Sequence, residues 1–197
     1  GDGDPSAKAW TLAAADPRRQ VDLVEALPLV ADPAVRSALY ERILPLVDAG
    51  GADGPPGTVG RFVRVELPGK QRTLTLAEVE VFAGGDNVAR RGKATQKNTA
   101  HGGDASRGID GNTHPAYDKN GQTHSVEGTD NPWWEVDLGA DQRIERIVIH
   151  NREGALGERL KNFTLKVLDA QRADAFVVEK QPAPAQSAEI QLASDAA

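Results

Sequence analysis

Cysteine is absent from all 197 residues. That excludes disulfides, thiol nucleophiles, haem attachment through a CxxCH motif and cysteine-ligated zinc. It does not identify the compartment, because an exported bacterial protein can lack cysteine as readily as a cytosolic one. Positive charge is scarce too. With 23 Lys and Arg against 29 Asp and Glu, the net charge is -6, whereas a nucleic-acid binder needs a basic surface for phosphates. No apolar run approaches the roughly 20 residues that span a bilayer. Aromatics make up only 5%, so the core is modest, and the length suits one domain of about 100–150 residues plus an extra segment. There is neither a signal peptide nor an initiator methionine, and the expectation is a piece of a larger protein. Catalytic signatures are also missing: no G-x-S-x-G, no P-loop, no paired metal-hydrolase histidines. Asp137, Glu153 and Glu158 are available as a glycosidase pair, but strand polarity and loop solvation explain them. The chain reads as non-catalytic.

What is present falls into two parts. Residues 1–49 read as helical: Asp16-Pro17 and Asp32-Pro33 each place an N-cap residue before a proline at the first helical position. Val35, Leu39, Ile43 and Val47 then recur at helical spacing, with Pro45 expected to kink or end the stripe. Such a segment suits the end of a helical, HEAT-like array, although two units are too few for a repeat claim. Residues 50–59 read as a linker rich in Gly and Pro. From residue 60 to 197 the apolar period becomes that of strands. Val63, Val65 and Leu67 alternate with Arg64 and Glu66; Ala77, Val79 and Val81 with Glu78 and Glu80; Trp134, Val136 and Leu138 with Glu135 and Asp137; Phe163, Leu165 and Val167 with Thr164 and Lys166. Ile144 to Ile149 predicts a central strand, and Ala175 to Lys180 and Glu189 to Leu192 predict weaker ones. Short strands separated by Gly and Asn turns imply an all-β antiparallel sandwich. Residues 87–121 are instead polar and Gly-rich, and a loop of that length is usually functional or tied down, for example by an ion.

Several motifs in order carry a resemblance. They are Asn87-Val88-Ala89-Arg90-Arg91-Gly92-Lys93-Ala94-Thr95-Gln96, Ile109-Asp110-Gly111-Asn112, Thr123-His124, Pro132-Trp133-Trp134-Glu135-Val136-Asp137-Leu138, Asn151-Arg152 and Glu158-Arg159-Leu160. Together they resemble the F-type lectins (fucolectins), a branch of the discoidin-like, galactose-binding jelly-roll fold. Gly60–Val65 and Leu76–Val81 are similar to strands that close the family's domain at its C-terminal end. Here they come first, as in a circular permutation, which neighbouring sandwich termini make feasible. The alternative is that they finish a preceding copy. The arrangement resembles domains of large planctomycete-type exported proteins, which implies an extracellular or periplasmic location and tethering to other domains.

The resemblance implies non-catalytic carbohydrate binding. His124, Arg152 and Arg159 would hydrogen-bond a fucose-like sugar, since a rigid guanidinium fork suits hydroxyl oxygens and an imidazole can donate or accept. Tyr117 and Leu156 would give apolar contact. A structural calcium would be held by Glu78, Asp110, the carbonyls of Arg107 and Asn112, and the Asn120-Gly121 turn, because calcium takes six to eight oxygens. Two positions depart from the family. Gly154 stands where an acidic residue often orients the arginines, leaving Glu153 to substitute, and Ala155-Leu156 replaces a vicinal disulfide.

Without the resemblance, Arg152 and Arg159 read equally well as exposed ion pairs with Glu153 and Glu158, and Asp110-Gly111-Asn112 as a plain turn. Trp133 and Trp134 point to opposite faces, one into the core and one under a loop. His101 and His114 read as lone loop residues. The functional alternative is a protein-interaction or structural module that kept the fold and lost sugar binding.

Overall fold

The computed structural model describes residues 57–192; the helical segment and residues 50–56 of the expected linker lie outside them, while Thr58 and Val59, expected as linker, are strand. Nine strands occur among the described residues: β1 (Thr58–Glu66), β2 (Glu78–Ala83), β3 (Asp86–Asn87), β4 (Lys93–Gln96), β5 (Trp133–Ile144), β6 (Arg146–His150), β7 (Phe163–Leu168), β8 (Asp174–Gln181) and β9 (Ser187–Gln191). They form a five-stranded sheet in the order β4-β5-β1-β7-β8 and a four-stranded sheet in the order β3-β2-β6-β9. Every strand pair is antiparallel. The all-β sandwich expected from the alternation is the fold observed.

Register shows how the alternation builds the core. Val63 faces Val136 on one side and Val167 on the other, and Val65 faces Trp134 and Leu165. All six are fully buried. On the second sheet Val79 pairs with Ile149 and Val81 with Ile147, again without exposure. Side chains of period two thus fill the space between two sheets, with burial contributing about 1.5–3 kcal/mol per large apolar residue. The intervening residues cover the outer face of the larger sheet: Arg64 opposes Glu135 at 3.1 Å, and Arg61 bonds Asp137 at 2.7 Å.

Two readings are refined. The Ile144–Ile149 run is not one strand. It ends β5 in one sheet and continues as β6 in the other, crossing at Glu145. Ile144, Ile147 and Ile149 are fully buried on both sides of the crossing because both halves face the same interior. β1 and β2 each occupy an interior position of their sheet, so they are integral to this sandwich rather than the end of a preceding one.

The site loops gather where Glu66 meets Trp133 and Thr164, and Gln96 meets Trp134. Residues 67–77, 97–132 and 151–162 connect strands at that end. The long polar segment is tied into the core by Trp134, one of the two expected roles for the tandem tryptophans. Its ring is fully buried and its Nε1–H donates to the Ala105 carbonyl at 2.9 Å. Trp133 is half-buried under the Arg64 guanidinium, 4.2 Å from its ring centre. Among the described residues no helix is long and apolar enough to cross a membrane.

Candidate functional site

His124 is fixed from two sides. Residues 123–125 run beside 74–76, with Thr123 N–H donating to the Leu76 carbonyl at 2.8 Å and Ser125 N–H to that of Leu74 at 3.0 Å. The Thr123 and Ser125 hydroxyls accept back from Leu76 N–H at 3.0 Å and Leu74 N–H at 2.8 Å. On the other side His124 N–H donates to the Gly103 carbonyl at 2.8 Å. A Cβ on Gly103 would lie 2.5 Å from the His124 backbone nitrogen, so only glycine permits this approach. The imidazole is 5% exposed. Its Nδ1 lies 2.6 Å from the Ser125 carbonyl, which can only accept, so Nδ1 carries the proton. Burial, aided by the nearby charges of His101 and Arg159, holds its pKa below the ordinary histidine value against the pull of Ser125 and Glu127. The ring is neutral near pH 7 and presents an Nε2 lone pair to the mouth of the site.

Arg152 precedes a 3-10 turn, Ala155–Leu160, and Arg159 lies in its last turn. Asn151, 1% exposed, staples it. Its side-chain amide donates to the Gly157 carbonyl at 3.0 Å and the Pro184 carbonyl at 2.9 Å, and its Oδ1 accepts from Arg152 N–H at 2.8 Å. From below, Arg72 donates to the Arg159 and Lys161 carbonyls at 3.2 and 2.7 Å. The Arg152 Nε is buried and has no partner. Burial first, then the charge of Arg159, lowers the Arg152 pKa. Arg159 is therefore within electrostatic reach of both Arg152 and His124. Among the described residues neither arginine is ion-paired, so the pairings with Glu153 and Glu158 are not what holds them. Glu153 instead donates its N–H to the Pro115 carbonyl at 3.0 Å, closing the arginine loop onto the loop of Tyr117. Gly154 has φ 75° and ψ -168°, a conformation essentially reserved for glycine, which explains why no acidic residue stands there.

Tyr117 is half-buried and edge-on to His124, with ring centres 5.9 Å apart. Its hydroxyl donates to the His101 carbonyl, so it anchors the wall as well as lining it. Leu156 is 43% exposed on the arginine turn, free to give apolar contact. Two residues escaped sequence reading. His101 has partners after all: its ring lies 5.0 Å from that of His124, and its Nε2–H donates to Glu127 Oε1 at 3.0 Å. The same oxygen lies 3.6 Å from His124 Nε2. A His at i and a Glu at i+3 was the available signal for Glu127; His101 could be placed only by the fold.

Of the expected cation ligands, Arg107, Asp110, Asn112 and Gly121 lie in the same connection as His124, and Glu78 opens β2. Glu78 is fully buried, but not among the valines of β2. Its Oε1 accepts from Gly111 N–H at 2.9 Å, and its Oε2 has no partner. Burial pushes its pKa up to about 7, opposed by the Gly111 bond and reinforced by nearby Asp110. Asp110 accepts from Asn112 N–H at 2.8 Å, and the Asn112 amide donates to the Lys119 carbonyl at 3.0 Å, just before the left-handed Asn120 and buried Gly121. Arg107 ends the preceding 3-10 turn, Ala105–Gly108. Gln122 adds a second buried oxygen without a partner, Oε1. An orphaned buried carboxylate oxygen beside an Asp-Gly-Asn turn is the donor chemistry of a hard cation.

A family model described as NedA-like, galactose-binding domain matches residues 107–197. Among curated proteins the chain is similar to Fucolectin-6 of Anguilla japonica, 41% identical over 80 residues, 38% of this chain and 42% of that protein. It is also similar to Fucolectin of Anguilla anguilla, 39% identical over 87 residues, 42% of this chain and 54% of that protein. The chain thus spans about half the length of these relatives. Among solved structures it is similar to the lectin domain of lectinolysin complexed with Lewis B antigen, with a TM-score of 0.51 and 32% identity, covering 54% of this chain and 77% of that one. A histidine mutant of the lectin-binding domain of lectinolysin complexed with Lewis b gives a TM-score of 0.51 at 33% identity, covering 76% of that chain.

Proposed function

The chain belongs to the F-type lectin family of galactose-binding-like sandwiches, and from that footing we propose that it is a non-catalytic module recognising a fucose-like sugar through His124, Arg152 and Arg159. The observation that carries the reading is that Arg159 lies within electrostatic reach of both Arg152, whose buried Nε has no partner, and the neutral imidazole of His124. A donor left without water or protein costs about 1–3 kcal/mol, and a shift of the Arg152 side chain on binding would let a sugar hydroxyl satisfy it. The guanidinium groups donate, His124 Nε2 accepts from a second hydroxyl, and Tyr117 and Leu156 cover an apolar sugar face. Calcium, held by Glu78, Asp110 and the carbonyls of Arg107, Asn112 and Gly121, would supply the positive charge that a buried carboxylate lacks and stiffen the loop leading to His124. Placing β1 and β2 ahead of the lectin motifs is a circular permutation in this account. The natural partner is a fucosylated or related glycan outside the cytoplasm, in the extracellular space or periplasm. Weak single-site binding would be made useful by tethering to other domains.

The test is calorimetric titration of L-fucose into the calcium-loaded protein, with D-galactose and a chelated sample alongside. Saturable binding of fucose with a Kd between about 10 μM and 1 mM, weaker for galactose, is expected. No heat with either sugar from a folded, calcium-stabilised protein would overturn the reading in favour of an interaction module.

A further inference from the structure

Three nitrogen and oxygen ligand atoms converge at the rim of the sugar-type site. Among the described residues, His101, His124 and Glu127 form a group whose ligand atoms all lie within 4.8 Å of one another. We propose that these three residues bind a divalent transition-metal ion of the zinc type, one per chain, through a donor set distinct from that proposed for calcium.

Three features favour it. First, His124 is set up as a ligand: its Nδ1–H is committed to the Ser125 carbonyl at 2.6 Å, the outer-shell contact that fixes the tautomer and orientation of metal-binding histidines. Its Nε2 lone pair then faces a carboxylate oxygen at 3.6 Å. Two acceptors with no proton between them repel, and a cation resolves the repulsion. Second, the spacing suits a tetrahedral ion. Bonds of about 2.1 Å imply ligand–ligand edges of roughly 3.4 Å, and the distances to Glu127 Oε1 are 3.0 Å from His101 and 3.6 Å from His124. Third, exposure is distributed usefully. The His124 side chain is 6% exposed and held in place by its contacts, whereas those of His101 and Glu127 are 57% and 49% exposed and have room to adjust to an ion. The Tyr117 hydroxyl meanwhile holds the backbone of His101. On binding, the His101 Nε2 proton moves to Nδ1 through solvent, and the ion replaces the His101–Glu127 hydrogen bond.

Two imidazoles and one carboxylate are the donor set of zinc sites with an open fourth position, whereas calcium takes oxygens. The ion would compete with sugar for His124 Nε2, a consequence that rests on the sugar-binding reading; the metal site itself does not.

The experiment is titration of zinc chloride, without sugar, into untagged calcium-loaded protein. The chain has four histidines and no cysteine, so the background is small. One zinc per chain should bind saturably, with affinity at least tenfold weaker in both His101→Ala and Glu127→Gln and unchanged in His114→Ala. Both critical residues are exposed, so the variants should keep the wild-type circular dichroism. Absence of saturable binding would overturn the site. So would binding unaffected by both substitutions, or binding lost in His150→Ala instead. In a second arm, zinc should raise the apparent Kd for L-fucose in wild type but not in Glu127→Gln. Zinc binding without fucose binding would retain the metal site and reject the sugar reading.

Discussion

The His124 imidazole and the Glu78 carboxylate are both buried polar groups beside the same loops, and they are held in opposite ways. His124 has its Nδ1 satisfied, its backbone clamped between residues 74–76 and 100–103, and its free nitrogen turned to the mouth. Glu78 has one oxygen bonded to Gly111 and the other facing nothing. The first arrangement is positioned by protein contacts alone and so is preorganised for a weak, exchangeable ligand. The second is incomplete as protein alone. Its raised pKa expresses the same deficit, because burial outweighs the Gly111 hydrogen bond and the nearby Arg90 charge.

The largest effect expected from breaking this contrast concerns Glu78. Its folded pKa of about 7 lies above the ordinary 4.5, so between those values the native state holds a proton that the unfolded chain has released. Calcium-free stability should therefore fall as pH rises from about 4.5 to 7, by roughly 3 kcal/mol, and level off above. Glu78→Gln should remove most of that slope and also most of the stabilisation by calcium, read by urea unfolding across pH. A flat profile for the calcium-free wild type would show that Glu78 is compensated by some other group.

Next comes the clamp on the sugar side. Asn151→Ala leaves the Gly157 and Pro184 carbonyls and the Arg152 N–H without their partners. It should cost about 2–3 kcal/mol and weaken fucose binding at least tenfold, although Asn151 lies beneath the arginines. Unchanged affinity would mean that the turn needs no staple. The smallest effect is expected at Gly154. Restoring an acidic residue with Gly154→Asp should cost about 1–2 kcal/mol through its φ of 75°, and it should not strengthen binding. A gain in affinity would show that the arginine pair lacks a carboxylate.

The two regions also differ in how far they could be read from sequence. Period-two alternation located β1, β2, β5 and β7, because one face of each strand meets the interior and the other meets water. Alternation cannot show where a chain changes sheets, so the run through Glu145 looked like one strand. His124, Arg152 and Arg159 stood out through ordered motifs, yet their support from Asn151, Arg72 and Gly103 depends on carbonyls that sequence does not display. Glu78 lay 33 positions from its partner Gly111, and only the resemblance joined them. His101 looked isolated for the same reason: it is 26 positions from Glu127. Gly154 looked like a lost functional residue until its backbone angles gave it a structural cause.

The most direct measurement is L-fucose binding by calcium-loaded wild type and Arg152→Ala under identical conditions. The guanidinium carrying the unpartnered Nε should be worth at least a hundredfold in Kd, about 2.7 kcal/mol, with little change in folding stability. Equal affinity in the two proteins would contradict the assignment of the site.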